Sequence, residues 1–254
     1  MGYMDEKKLR VVILVQARMG STRLRGKVLK EVMEKPLLLY LIERLQRVEL
    51  KEEIVIATTI NVEDEKIVDF CRFEQIPLFR GQSEDVLDRF YYAAQTFKAD
   101  VIVRITSDCP LIDPIIIDQV IKTYLDNYPK YDYVSNSHLR RSYPIGMDVE
   151  VFSFKALEEA FHEATLPEER EHVTPYIYRR PTRYHKKLIT HEPDLSNFRL
   201  TVDTIEDFEL INKLLDNIYP KNPNFTMDDI VRILQVEHPD WVKINSGVKQ
   251  RELP

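Results

Sequence analysis

The chain has 254 residues, a net charge of −6 and two cysteines. This length is sufficient for a large hydrophobic core. The acidic balance argues against nucleic-acid binding by bulk electrostatic attraction, and Cys71 and Cys109 form neither a disulfide framework nor a zinc-binding spacing. No apolar run reaches the ~18 residues of a membrane span. The N-terminus also lacks the apolar core of a signal peptide, so we expect a cytoplasmic protein with no membrane partner.

The first half of the chain alternates strand and helix patterns. Strands are predicted at 11–17, 53–58, 77–79 and 100–106, and helices at 37–45, 62–73, 83–97 and 114–125. Asn61 and Ser83 are expected to cap two of these helices. This order predicts an α/β fold with a mostly parallel central sheet and helices on both faces.

The pattern is looser after residue 131. Strands are predicted at 131–135, 148–152 and 198–202, and helices at 154–163, 168–179, 205–215 and 227–236. The polar composition of residues 237–254 predicts a loosely held tail. We expect a single domain over residues 1–254, with a core at about 10–216 and a C-terminal helix and tail at 217–254.

A cationic loop follows the first predicted strand. The apolar run of the strand ends at Gln16 and gives way to a loop that contains Arg18, Gly20, Ser21, Thr22, Arg23, Arg25, Gly26 and Lys27. At the C-terminal end of a first strand, this composition predicts a cradle for phosphate groups. The alternative is a solvated basic turn. The spacing matches neither a P-loop nor a dinucleotide-binding fingerprint.

Two other predicted strands end in an aspartate. Asp108 follows the apolar run 101–105, and Pro110 prevents that strand from continuing. Asp203 follows the short run 200–202. Both carboxylates are candidate Mg²⁺ ligands at the edge of the sheet that carries the cationic loop. The alternatives are a turn aspartate at 108 and a helix cap or turn residue at 203.

Weaker signals come from two other segments and from the histidines. At the 81–88 segment, Arg80 or Ser83 would contact a nucleotide. In residues 143–150, the Pro and Gly would shape an acceptor pocket. The six histidines show no metal-ligand spacing, and we interpret most of them as surface or structural residues.

Six segments of the chain resemble motifs of a known family. In chain order they are QARMGSTRLRGKVL, GQSEDVLDRF, ITSDCPLIDP, YPIGMDVEVF, EEREHVTPYIY and LTVDTIEDFELI. Over residues 11–215 the chain resembles the sugar-acid cytidylyltransferases, which include the CMP-octulosonate and CMP-sialate synthetases. The match is best with the spore-coat polysaccharide biosynthesis protein F branch. The resemblance implies a GT-A-like nucleotidyltransferase fold in a homodimer.

The resemblance also implies roles for individual residues. Arg18, Lys27 and Asp108 would be catalytic, Asp108 and Asp203 would bind Mg²⁺, and the base would be cytosine. Of the nucleotide-binding residues, the resemblance implies that Arg18, Arg23 and Lys27 contact the triphosphate with Ser21 nearby. The full set that we predict is Gln16, Ala17, Arg18, Gly20, Ser21, Arg23, Lys27, Arg80, Ser83, Thr106 and Ser107.

The implied reaction is transfer of CMP from CTP to a sugar acid with release of pyrophosphate, in the biosynthesis of a surface polysaccharide or glycan. Arg140, Arg141 or Arg183 would pair with the acceptor carboxylate. One alternative is a GT-A glycosyltransferase that uses a nucleotide sugar, although residues 107–109 do not form the DxD triplet of such enzymes. The other is a non-catalytic nucleotide-binding protein, which would not need both aspartates.

Overall fold

A twisted sheet whose strands alternate with helices organises the chain. The computed structural model describes residues 8–138 and 140–250. The strands are β1 (Val11–Gln16), β2 (Glu31–Val32), β3 (Lys35–Pro36), β4 (Glu53–Thr59), β5 (Leu78–Gly81), β6 (Val101–Thr106), β7 (Tyr133–Ser135), β8 (Glu150–Ser153) and β9 (Lys186–Leu188). The α-helices are α1 (Leu37–Gln46), α2 (Glu65–Phe73), α3 (Val86–Thr96), α4 (Pro114–Asp126), α5 (Phe154–Glu163), α6 (Pro167–His172), α7 (Pro175–Tyr178), α8 (Ile205–Ile218) and α9 (Met227–Arg232).

Among the described residues, the main sheet has the strand order β5-β4-β1-β6-β8-β7-β9. β1 lies at its centre and pairs in parallel with β4 and β6, whereas β8 is antiparallel to β6. Parallel strands place their carboxyl ends at one edge, which is where open α/β sheets bind ligands. The predicted α/β architecture with a mostly parallel sheet is confirmed.

Helices cover both faces of the sheet, because successive side chains of a strand point in opposite directions. Val11, Ile13 and Val15 pack in the cluster that contains residues of α1, α2, α4, α8 and α9. Val12 and Leu14 pack in a second cluster with residues of α3, α5 and α7. The unbroken apolar run of β1 is therefore buried on both sides, as predicted.

Two predicted helix caps are wrong. α3 begins at Val86, and the side chain of Asp85, not Ser83, accepts a hydrogen bond from the Asp88 backbone N–H at 2.8 Å. Asn61 precedes a 3₁₀ turn without a capping bond from its side chain, and it donates instead to Ser83 Oγ at 3.0 Å.

Several elements differ from the predicted pattern. The predicted helix at 168–179 is two short helices, α6 and α7, because Val173 between them has a left-handed φ of 71°. The predicted helix at 227–236 is α-helical only to Arg232, and Ile233–Glu237 continues as a π-helical turn. The sequence did not predict β9 or the β2–β3 hairpin, whose strands are too short to show a hydrophobic period.

The predicted strand at 198–202 is reduced to a single parallel bridge between Ile145 and Arg199. Gly146 stops the pairing there. Its φ is 102°, and a Cβ atom at this position would lie 2.7 Å from the backbone of Leu200. The backbone at Gly146 approaches the backbone at Leu200 so closely that only glycine fits. This contact packs residues 143–150 against the segment that leads to Asp203.

No described helix is long and apolar enough to cross a membrane.

We predict that Gly146→Ala lowers the free energy of unfolding by about 2–4 kcal/mol, because alanine disfavours the positive φ and its methyl group overlaps the Leu200 backbone. Urea denaturation followed by circular dichroism measures this. Gly247→Ala is the matched control, since no atom lies within 4 Å of a Cβ there, and we expect a change within about 0.5 kcal/mol. Equal stability of the Gly146→Ala variant and the wild type would contradict the assignment.

Candidate active site

A cleft of about 1140 Å³ opens at the carboxyl ends of β1 and β6. Nine of the predicted site residues line it: Gln16, Arg18, Ser21, Arg23, Lys27, Thr106, Ser107, Asp108 and Asp203. The structure thus brings together the cationic loop and both candidate metal-binding aspartates, which are as many as 176 positions apart in the chain.

Four predicted nucleotide-binding residues do not line this cleft. Ala17 is buried and its N–H donates to Ala57 O at 3.2 Å, and Gly20 lies beside the side chain of Glu63. Arg80 donates to Thr59 O at 3.1 Å and to the Glu65 carboxylate at 2.6 Å. Ser83 accepts from Asn61. Contacts of these residues with a nucleotide stay predictions.

The cationic loop is held in a defined shape by backbone hydrogen bonds. The Gly26 N–H donates to Met19 O at 3.0 Å, and Gly26 has a left-handed φ of 69° that favours glycine. The Met19 N–H donates to Asp64 Oδ1 at 2.6 Å. These bonds close the loop on itself and attach it to the turn that precedes α2.

Lys27 is the centre of the charged cluster. Its Nζ lies 2.8 Å from Asp108 Oδ2 and 2.8 Å from Asp203 Oδ1. The Lys27 side chain is only 11% exposed. One ammonium group therefore bridges two carboxylates that would otherwise repel each other in a poorly solvated position.

Asp203 is held by three cations. Besides Lys27, Arg23 Nη2 and Arg199 Nη2 lie 2.9 Å and 2.8 Å from Asp203 Oδ2. Arg199 is itself buried and donates through Nε to Asp207 Oδ1 at 2.8 Å. Asp207 also accepts from the Asp203 N–H at 3.0 Å and forms a capping box with Thr204. The cap of α8 and the orientation of Asp203 are thus parts of one network.

The pKa shifts follow from this pairing. Burial by itself lowers the pKa of Lys27, but the charges of Asp108 and Asp203 outweigh burial and leave the pKa above its ordinary value. Burial raises the pKa of Asp203, but the charge and hydrogen bond of Lys27 and the bond from Arg199 outweigh it, so the pKa is lowered. Both groups are therefore held in their charged forms at neutral pH.

The cleft is also lined by polar residues that the sequence analysis missed. Glu150 is buried and accepts hydrogen bonds from Tyr133 Oη at 2.5 Å and Thr174 Oγ1 at 2.6 Å, and it pairs with Arg104. Arg104 also donates to Gln16 Oε1 at 3.3 Å. The available sequence signal was the arginine inside the otherwise apolar β6, because a charge in a central strand needs a buried partner.

Of the three arginines expected to bind the acceptor carboxylate, only Arg141 lines the cleft. Arg141 lines the cleft and forms an ion pair with Asp148, whereas Arg140 does not line it. Arg183 pairs with Glu159 and Glu163 instead, and it too does not line the cleft.

Two histidines belong to the cleft wall, which the interpretation of most histidines as surface or structural residues did not anticipate. His138 and His172 both line it. Burial lowers the pKa of His138 to about 4 and also lowers the pKa of His172. Both rings are therefore neutral at pH 7 and available as hydrogen-bonding groups.

Comparisons with known proteins agree with this geometry. A family model described as cytidylyltransferase matches residues 12–238. The chain is 39% identical to an uncharacterized protein of Methanocaldococcus jannaschii over 96% of this chain and 97% of that protein. It is 32% identical to the spore coat polysaccharide biosynthesis protein SpsF of Bacillus subtilis, over 91% and 95% of the two chains. A solved cytidylyltransferase from Leptospira borgpetersenii superposes with a TM-score of 0.88 at 33% identity, over 96% of this chain and all of that one.

We predict that Asp203→Asn destabilises the metal-free protein most at neutral pH, by about 2 kcal/mol. The folded-state pKa of Asp203 lies below the unfolded value. Its stabilising contribution is therefore complete above the unfolded pKa and is lost as the pH falls through the folded one. The difference in unfolding free energy between the variant and the wild type should shrink below about pH 4. Urea denaturation at a series of pH values in EDTA measures it.

Asp126→Asn is the control, since Asp126 forms an exposed ion pair with Lys122 and should show little change at any pH. A difference for Asp203→Asn that does not change between pH 7 and pH 3 would contradict the charge cluster.

Proposed function

We propose that this chain, which belongs to the cytidylyltransferase family, transfers CMP from CTP to a sugar acid and releases pyrophosphate. The observation that carries the proposal is the convergence of Lys27, Arg23, Asp108 and Asp203 in a cleft at the carboxyl edge of the sheet. The family match supports the nucleotidyl transfer, and the motifs of the sugar-acid enzymes support the acceptor class.

Phosphate binding is the role we assign to the cationic loop. Arg18 and Arg23 line the cleft and present guanidinium groups, which pair with phosphate oxygens in a bidentate manner. Lys27 supplies a compact charge beside the two aspartates. A triphosphate has several negative charges, so these cations would lower its repulsion towards an attacking hydroxyl.

Asp108 and Asp203 fit a magnesium ion by the chemistry of their donors. Magnesium prefers oxygen ligands and is usually held by one or two carboxylates together with substrate phosphates and water. In the structure these two carboxylates already face a common cation, the Lys27 ammonium group. No larger group of acidic, histidine or cysteine side chains suited to a metal occurs in residues 8–138 and 140–250. A bound magnesium would neutralise charge on the phosphates.

The chemical step is an in-line displacement. A hydroxyl oxygen of the acceptor forms a bond to the α-phosphorus of CTP, and the bond from that phosphorus to the bridging oxygen of pyrophosphate breaks. Positioning and charge neutralisation account for most of the catalysis in such reactions. Arg18, Arg23 and Lys27 would hold the triphosphate and stabilise the charge that accumulates on pyrophosphate as it leaves.

We assign the acceptor to the part of the cleft that is lined by residues of α6, α7 and the turn between them. His172, Thr174 and Tyr178 offer hydrogen-bonding groups there, and Arg141 offers a guanidinium that is already paired with Asp148. Sugar hydroxyls are recognised by such polar groups placed in a largely preformed pocket. A homodimer is the assembly that the resemblance implies.

The direct test is a screen for pyrophosphate release with four nucleoside triphosphates and a panel of sugar acids in Mg²⁺. We expect release with CTP and at least one sugar acid. Hydrolysis of a nucleotide sugar without pyrophosphate release from any triphosphate would favour a glycosyltransferase instead. Magnesium-independent CTP binding without turnover of any sugar acid would favour a non-catalytic nucleotide-binding protein.

We predict that Lys27→Ala lowers kcat by ~10²-fold or more, because removal of one preorganised charge at a developing anion has that effect. Steady-state pyrophosphate release measures it. Lys30→Ala is the matched control, because Lys30 lies over the Phe208 ring 5.1 Å from its centroid and does not line the cleft. Turnover of Lys27→Ala equal to that of the control would contradict the assignment.

A further inference from the structure

The last described residues of the chain return to the cleft. The family match ends at residue 238, and the sequence predicted a loosely held tail beyond it. The structure contradicts that prediction at Asn245 and Gln250, whereas residues 251–254 of the predicted tail lie outside the described residues. Asn245 is 4% exposed, and Gln250 lines the cleft together with Arg23 and Asp203. The C-terminal segment, residues 238–250, therefore contacts the site network through Asn245 and Gln250.

Apolar and stacking contacts fix the beginning of the C-terminal segment. Trp241 stacks on His238 with ring centroids 4.0 Å apart. Trp241, Val242 and Ile244 are partly buried against the main hydrophobic cluster. These contacts place the following residue, Asn245, beside Asp207 in the first turn of α8.

Asn245 connects the C-terminal segment to the aspartate network. Its Nδ2 donates to Arg199 O at 3.0 Å and to Asp207 Oδ1 at 2.9 Å. Asp207 is fully buried and, through its other oxygen, accepts from Arg199 Nη2 and from the Asp203 N–H, each at 3.0 Å. Asn245 thus satisfies an acceptor of the carboxylate that orients both Arg199 and Asp203. A buried carboxylate that lost this donor would be less firmly placed.

Gln250 reaches the same network from the cleft side. Its Oε1 accepts a hydrogen bond from Arg199 Nη1. Because the amide oxygen accepts from Arg199, the two donors of the amide nitrogen are available to a ligand in the cleft that Gln250 lines. Arg23 and Asp203 line the same cleft, and Arg199 joins Gln250 to Asp203. An anionic oxygen bound beside Arg23 and Asp203 would therefore lie on the side of the cleft from which Gln250 is held.

We propose that the C-terminal segment completes the nucleotide site. Asn245 is a positioning residue that fixes Asp203 through Asp207 and Arg199, and the Gln250 amide is a donor to a phosphate oxygen of the bound nucleotide. This inference rests on the proposed function, since it takes the occupant of the cleft to be CTP. It adds residues 239–250, which lie outside the family match.

The positioning role is tested with Asn245→Ala in the full-length chain. Calorimetry should show ~10-fold weaker CTP binding in Mg²⁺ than for the wild type, and a higher Mg²⁺ concentration for half-maximal CTP binding. In EDTA the two proteins should bind CTP with affinities within twofold of each other. Ser246→Ala is the matched control, since the Ser246 hydroxyl donates only to Lys243 O within the described residues. A lowered Tm with unchanged CTP affinity and Mg²⁺ dependence would overturn the positioning role.

The donor role of Gln250 is tested by comparing two substitutions. Gln250→Glu keeps an acceptor oxygen for Arg199 but removes the amide donors and adds a charge that repels phosphate. Gln250→Ala removes both functions. We expect ~10-fold or greater loss of CTP affinity in Gln250→Glu, at least as large as in Gln250→Ala. Wild-type affinity in Gln250→Glu would overturn the donor role.

Failure of this inference is distinguishable from failure of the proposed function. A wild-type protein that binds no CTP in calorimetry, and releases no pyrophosphate, would overturn both. Wild-type binding and turnover together with Asn245→Ala and Gln250→Glu variants that bind CTP normally would overturn the role of the C-terminal segment alone.

Discussion

The ammonium group of Lys27 is the contact on which the site depends. It joins the loop after β1 to the end of β6 and to the segment before α8, which are 81 and 176 positions away in the chain. Without that charge, Asp108 and Asp203 would be two carboxylates close together in a poorly solvated position, and they would repel each other. The interaction therefore holds the two acids together at one side of the cleft.

The same groups serve the stability of the empty protein and the proposed chemistry. Lys27, Arg23 and Arg199 neutralise Asp203 in the structure. We assign Lys27 and Arg23 to the phosphates of CTP, and Asp203 to a metal ion, so binding would exchange internal ion pairs for pairs with the ligand. Such an exchange leaves no charge uncompensated in either state. Arg199, held by Asp207 and by the C-terminal segment, would stay in place and keep Asp203 oriented throughout.

The sequence predicted the parts of the structure that have strong local patterns. The apolar run of β1 and the helix that begins at residue 205 were confirmed, and Asp108 and Asp203 lie in one cleft as expected, although the segment before Asp203 forms a single bridge rather than a strand. The misses have a common physical origin. The Arg104–Glu150 pair, the Ile145–Arg199 bridge and the Asn245 contacts each join segments 38 residues or more apart, and nothing in either segment alone specifies them. A polar tail in particular looks unattached until its hydrogen-bond partners are seen.

The most direct measurement is a crystal structure of the protein grown with CTP and Mn²⁺ and analysed by anomalous scattering. The expected result is an anomalous peak within coordination distance of the carboxylate oxygens of Asp108 and Asp203, with the Lys27 Nζ in contact with a phosphate oxygen. A peak bound elsewhere, with Lys27 still bridging the two aspartates and the triphosphate outside this cleft, would contradict the site and the chemistry assigned to it.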